Sequence, residues 1–406
     1  MLNKNQEREL TYVVLIDGIE PIPGYDRVEH AIVGGWRVIV QKGQFNVGDP
    51  AIYFEIDSRV PSDKECFAFL EKRHYKVKTL KMCKTLSQGL LMHAEDFGWK
   101  IYTDSLSRTG IIDEEGNVHY ADNETRFLTQ KLGVTYADEE DNTRKAPSVD
   151  KYKKMAQRHP NIFKKPLVRW LMKYQFGRDI MFFFFGKKKD KKNGWPSWVQ
   201  KTDEERIQNM PWILTNPEQW VATEKIDGSS TTFTMKRGKF GKKEFFVCSR
   251  NVCFDSVEKP CYYDTNIYWE MAQKYDMFNV LSKLLDKNPK EQWITIQGET
   301  YGAGVQRREY SLTGHDFAAF NLIFSSQGRV GTLEMLHILA EYNVPCVPII
   351  GTMFINEFEN VDALLEFAEG NSIKDGLPRE GIVFRTLNGT KSFKAVSNSF
   401  LLKYHG

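Results

Sequence analysis

The stretch Thr223-Glu224-Lys225-Ile226-Asp227-Gly228-Ser229-Ser230 decides how this 406-residue chain is read. It lies between two runs suited to strands, around Trp220–Thr223 and Thr231–Met235, so it reads as a loop joining them. The pattern Lys-x-Asp-Gly inside it is too short to carry a function alone. Five more segments follow it in order. They are Cys248-Ser249-Arg250-Asn251, Gln297-Gly298-Glu299-Thr300-Tyr301-Gly302-Ala303-Gly304-Val305-Gln306 and Phe317-Ala318-Ala319-Phe320-Asn321-Leu322. The last two are Arg379-Glu380-Gly381-Ile382-Val383-Phe384-Arg385 and Ser392-Phe393-Lys394-Ala395-Val396-Ser397-Asn398. Strand patterns around 244–248, 293–297, 316–323 and 381–384 carry or adjoin them. Helical periods at 267–285, 332–342 and 361–368 alternate with the strands.

Outward toward the N-terminus the pattern changes. Runs at 12–16, 36–41 and 51–56 are rich in Val, Ile and aromatics, with Gly/Pro/Asp turns between them. That spacing predicts a small closed β-barrel. A basic stretch follows: Lys72, Arg73, Lys76, Lys78, Lys81 and Lys84 with no acid among them. On an extended strand, Lys76 and Lys78 would share a face. Such a face is either simply solvated or a phosphate-contacting surface.

The middle of the chain, 106–200, reads as linker and insertion. It holds an acidic run at 138–141, a predicted helix near 166–176, four consecutive Phe and a basic run at 187–192. The domain expectation is therefore 1–105, then this insertion, then 201–406. With 56 Lys+Arg against 53 Asp+Glu the chain is no polycation, so any nucleic-acid surface depends on charge placement. Its 41% hydrophobic and 27% charged residues exclude wholesale disorder. The six cysteines form no CxxC pair, so they read as reduced thiols in an intracellular, reducing compartment. The N-terminus is too polar for a signal peptide. The apolar run at 180–185 is far short of a membrane span, so no membrane partner is expected. No GxxxxGK[ST] is present, which excludes a P-loop ATPase.

Taken in order, the six segments resemble the nucleotidyltransferase motifs of covalent ligases. The nearest likeness is to ATP-dependent RNA ligases that carry an N-terminal OB domain. Tyr12–Gly89 resembles that OB domain, including Val47-Gly48-Asp49 and Tyr53-Phe54-Glu55-Ile56-Asp57-Ser58. Leu128–Asn142 resembles its exit segment, and Lys201-Thr202-Asp203-Glu204-Glu205-Arg206 the lead-in to the catalytic domain. The resemblance implies an α+β chain, with an OB-like β-barrel followed by a nucleotidyltransferase domain of antiparallel sheets flanked by helices. It implies joining of RNA 3′-OH and 5′-phosphate ends through lysyl-AMP and RNA-adenylate, with ATP and Mg2+ or Mn2+. A monomer is expected. The alternatives are a non-catalytic RNA-binding protein with a vestigial ligase domain and a ligase for DNA nicks.

The resemblance also assigns roles. Lys225 is the expected nucleophile, and Lys394 the cation on the α-phosphate. Glu224, Arg250, Glu299, Phe320, Glu380, Lys201 and Arg206 are expected around the nucleotide. Asp227, Glu299 and Glu380 are expected to face a hydrated metal, and Lys76, Lys78 and Lys81 to face RNA. The chemistry supports these types independently. A lysine attacks phosphorus only when neutral, and at pH 7 roughly a few in ten thousand free lysines are. Nearby positive charge and burial raise that fraction. Magnesium keeps several waters, so separated carboxylates suit it. Two positions depart from the family: Arg385 stands where related ligases often have Lys, and Val396 where some have a second lysine.

Overall fold

The computed structural model describes residues 1–5, 7–137, 168, 194–201, 203–259, 261–263 and 265–404. The expected helix at 166–176, the Phe run and the basic run at 187–192 lie outside the described residues. Among the described residues, no helix is long and apolar enough to cross a membrane.

In the N-terminal domain, alternation sets the layers. Trp36–Gln41 turns Trp36, Val38 and Val40 inward and its intervening residues outward. It closes an antiparallel meander with Gly18–Ile22 and Tyr25–Val33. A second sheet pairs Thr11–Leu15 with Pro50–Phe54 and Leu90–Met92. Pro50–Phe54 is buried along its whole length because each face serves a different core. Ala51 and Tyr53 join Tyr12, Trp36 and Leu91, while Ile52 and Phe54 join Phe67, Trp99, Ile111, Leu128 and Leu132. That second core reaches Val134, about thirty residues beyond position 105. The signal was weak because the strands at Lys100–Thr103, Thr109–Ile112 and Val118–Tyr120 are short and lie partly exposed.

The C-terminal part contains two antiparallel sheets. One has four strands in the order Ile349–Phe354, Gln219–Lys225, Gly381–Thr386, Ser392–Val396. The other has six, in the order Cys253–Phe254, Lys243–Cys248, Ser229–Arg237, Trp293–Gly302, His315–Phe324, Gly328–Arg329. Helix Val361–Ala368 packs with the first sheet, and helices Ile267–Lys274, Met277–Lys287 and Thr332–Ala340 with the second. The single helix expected at 267–285 is broken at Asp276, whose φ of 47° is left-handed. The chain crosses from one sheet to the other between Lys225 and Ser229. The Lys-Ile-Asp-Gly loop is that crossing.

Candidate active site

Lys225 is the last residue of its strand and lies opposite Gly381. Gly381 has φ +152°, and a Cβ there would stand 2.2 Å from the Ala395 carbonyl oxygen. Only glycine allows that approach, which places Glu380 beside the end of the Lys225 strand. The Lys225 Nζ lies 2.6 Å from Glu380 Oε1. Two residues on, the Asp227 N–H donates to the Tyr310 hydroxyl oxygen at 2.7 Å. Gly228 lets the loop lie against the strand bearing Glu299: a Cβ on it would meet the Thr300 carbonyl oxygen at 2.4 Å and Glu299 Cγ at 2.9 Å.

The acids outweigh the base. Burial pushes Glu299 up to about 8, with Glu380 and Asp227 adding repulsion against the pull of Lys225. Burial and then Glu380 push Asp227 up to about 7. Burial opposes the charge on Lys225, but Glu380, Glu299 and Asp227 together overcome it, and its pKa is raised. The Lys225 amine is thus held as an ammonium. Asp227 Oδ2 and Glu380 Oε2 are buried without hydrogen-bond partners, as hard oxygen donors awaiting positive charge. These residues fit a hydrated divalent ion. Among the described residues, however, no three acidic, His or Cys side chains converge as a ready metal site. Contact through water suits the separation of Asp227, Glu299 and Glu380.

The cations gather around one acid that sequence reasoning passed over. Asp203 Oδ1 lies 2.9 Å from Lys394 Nζ, and its Oδ2 lies 3.1 Å from Arg250 Nη2. Lys394 stands mid-strand opposite Val383, and its N–H donates to the Glu205 carbonyl at 2.7 Å. Its pKa is lowered by burial, and the charges of Arg206 and Lys225 add to this. Arg206 is itself lowered by burial, and its guanidinium lies 5.9 Å from the Trp36 ring of the N-terminal domain. Lys201 Nζ donates to Asn251 Oδ1 at 2.6 Å, beside Arg250. The only advance hint of Asp203 was an acid two residues after Lys201.

The remaining expected residues divide. Phe320 is the extra residue of a bulge, since Gln297 pairs with Asn321 and Gly298 with Ala319. The bulge leaves Phe320 half-buried beside Ile226 and Tyr301. Glu224 accepts from the Ile373 N–H at Oε2, 2.9 Å, while its Oε1 is buried without a partner. Arg385 is committed elsewhere: it binds Glu204 Oε1 at 2.9 Å and the Phe320 carbonyl at 3.0 Å. Glu204 also bridges to Arg329 at 3.2 Å, so Arg385 is a buried tie in this structure.

The expected RNA-facing stripe does not survive intact. The chain at 72–84 is no single strand but the end of a 3-10 helix, then a hairpin of Leu80–Met82 and Thr85–Ser87. Lys76 is only 4% exposed and bridges to Arg59, whereas Lys78 is exposed. The strand that would have put both on one face is absent. Lys81 Nζ donates to the Leu402 carbonyl at 2.7 Å, near the end of helix Asn398–Tyr404.

A family model described as an OB-fold domain matches residues 10–94, and one described as RNA ligase matches residues 218–405. No curated protein matches. Several solved structures of a Naegleria gruberi RNA ligase share the fold. A lysine-to-alanine mutant with ATP and Mn is 23% identical over 98% of this chain and 99% of that one, at a TM-score of 0.64. A glutamate-to-alanine mutant, also with ATP and Mn, is 24% identical over 98% and 100%, at 0.65. The form with pyrophosphate is 24% identical over 98% and 99%, at 0.64. The chain thus carries a domain of the RNA ligase family at residues 218–405, behind an OB-fold domain at residues 10–94.

Proposed function

We propose that this chain is an ATP-dependent RNA ligase that joins 3′-OH and 5′-phosphate ends. The observation that carries the reading is Lys225 at the crossing between the sheets, its amine 2.6 Å from Glu380 and facing an excess of buried acid. In the first step Lys225 Nζ attacks the α-phosphorus of ATP, and pyrophosphate leaves as the N–P bond forms. The amine must first shed its proton, and Glu380 Oε1 is the nearest acceptor. A bound divalent cation supplies the charge that engages these carboxylates and favours the neutral amine. Lys394 and Arg250 are the cations for the phosphates, released from Asp203 as the nucleotide arrives. Phe320 offers a stacking face for adenine, and Glu224 Oε1 a free acceptor. Glu299 contacts the ribose or the hydrated ion. Lys201 and Arg206 serve the outer phosphates.

AMP then passes from Lys225 to the RNA 5′-phosphate, and the RNA 3′-OH displaces it. The N-terminal domain contributes to RNA binding through Lys78, with Lys81 closing it onto the C-terminal helix. The test is the intact mass after incubation with ATP and Mg2+ or Mn2+. One added AMP, lost with pyrophosphate and absent in Lys225→Ala, is expected. An adduct that persists in Lys225→Ala would sink the assignment. Parallel reactions with GTP, and with DNA on the 3′-OH side of a nick, separate the other nucleotidyltransferase readings.

A further inference from the structure

We propose that Cys248 and Cys253 form a reversible disulfide that governs the turn carrying Arg250. The two residues face each other across the hairpin between Lys243–Cys248 and Cys253–Phe254. The Ser249 N–H donates to the Val252 carbonyl at 2.9 Å and the Val252 N–H to the Ser249 hydroxyl at 3.2 Å, so the ladder's last backbone bond falls on Ser249 and Val252. Cys248 and Cys253 are then the adjoining non-hydrogen-bonded pair, where side chains approach most closely. Opposed Cα atoms at such positions lie about 4.5 Å apart, inside the roughly 4.4–6.8 Å that a disulfide spans. The two thiols are free and buried.

The neighbouring Cys248 thiol lowers the pKa of Cys253 against the effects of burial and Asp255, and Lys259 adds to the lowering. The Lys259 amine donates to the Cys253 carbonyl at 2.5 Å. Cys253 also lies on the outermost strand of its sheet, only two residues long, which opens at low cost to a small oxidant. With a low-molecular-weight disulfide the chemistry closes in two steps. The Cys253 thiolate attacks one sulfur of the oxidant, and one thiolate leaves. The deprotonated Cys248 sulfur then attacks Cys253 Sγ and expels the second. Two thiol protons and two electrons leave the protein, one S–S bond forms, and the oxidant's S–S bond breaks.

The bond would pin both ends of the Ser249–Val252 turn. Arg250 sits in that turn with its guanidinium on Asp203 at 3.1 Å, and must leave it to reach phosphate. Next to Cys253, Phe254 stacks on Tyr268 at 5.0 Å, and Tyr268 hydrogen-bonds to Ser229 beside the Lys225 loop. This effect on activity rests on the nucleotide role proposed for Arg250; formation of the bond does not.

The experiment uses the full chain, treated with oxidised glutathione or with dithiothreitol, then alkylated and digested with trypsin. Cleavage after Arg250 parts the two cysteines, so the disulfide appears as a linked peptide pair lacking two hydrogens, and fragmentation of that pair separates Cys253 from Cys261, which shares its peptide. We expect that pair only after oxidation. We also expect self-adenylylation to slow about tenfold, the scale of one charged hydrogen bond, and to recover with dithiothreitol. Cys253→Ser should label equally well under both conditions. Alkylation of both thiols after oxidant, or linkage to another cysteine, overturns the proposal. Linkage with an unchanged labelling rate, in the wild-type chain alone, overturns control of the Arg250 turn. Absence of labelling in the reduced protein instead counts against the ligase reading, and peptide mapping still decides the bond.

Discussion

Replacing Asp203 by Asn should tighten the binding of pyrophosphate and ATP. Asp203 now holds Lys394 at 2.9 Å and Arg250 at 3.1 Å, so an incoming phosphate must compete with it. Its carboxylate is half exposed, which places both pairs in the range of partly screened ion pairs. At about 0.2–1 kcal/mol each, removing the competitor is worth about 1 kcal/mol in total, or about fivefold in Kd. Titration calorimetry with pyrophosphate, at low and high salt, measures this directly. The gain should shrink at high salt and in a Lys394→Ala background, where one of the two contacts no longer exists. Unchanged or weaker pyrophosphate binding in Asp203→Asn would refute the competition. Asp203 would then be positioning the two cations and not occupying them.

Three other outcomes are expected. Arg308 and Asp375 form an ion pair at 2.5 Å with each side chain 1% exposed, so Asp375→Ala should cost about 3–5 kcal/mol in urea unfolding by leaving Arg308 buried and unpaired. Gly381→Ala should abolish AMP labelling, because its Cβ would stand 2.2 Å from the Ala395 carbonyl oxygen and displace the neighbouring Glu380; labelling at the wild-type rate would contradict that geometry. Lys78→Ala should reduce the salt slope of single-stranded RNA binding by about 0.7, the share of one phosphate, whereas Lys76→Ala should lower Tm and leave the slope alone.

Much of the C-terminal half was legible because its signals are local. Lys225, Glu299, Glu380 and Lys394 sit on or beside strands whose β-branched and aromatic runs mark them, and the strands at 220–223, 231–235 and 381–384 lie within the observed ones. Boundaries that depend on distant packing were less visible. The N-terminal core recruits Leu128 and Leu132 from a stretch that reads as linker, because their partners Val13 and Phe54 lie far away in sequence. Asp203 shows the same limit: its contacts are 47 and 191 residues away, so no spacing rule reveals them. Lys76 failed for the opposite reason. A basic run looks solvated until tertiary structure turns one member inward, and the αL residues His74 and Tyr75 make that turn just ahead of it.

The passage from Lys225 to Ser229 ties together two sheets with separate hydrophobic interiors. Each sheet carries part of the candidate site: Lys225 belongs to the four-stranded one and Glu299 to the six-stranded one. On the proposed chemistry, reactivity reports on how firmly the two halves clasp. Loosening either interior, even at a side chain remote from the amine, should silence the chemistry while the polypeptide still unfolds cooperatively.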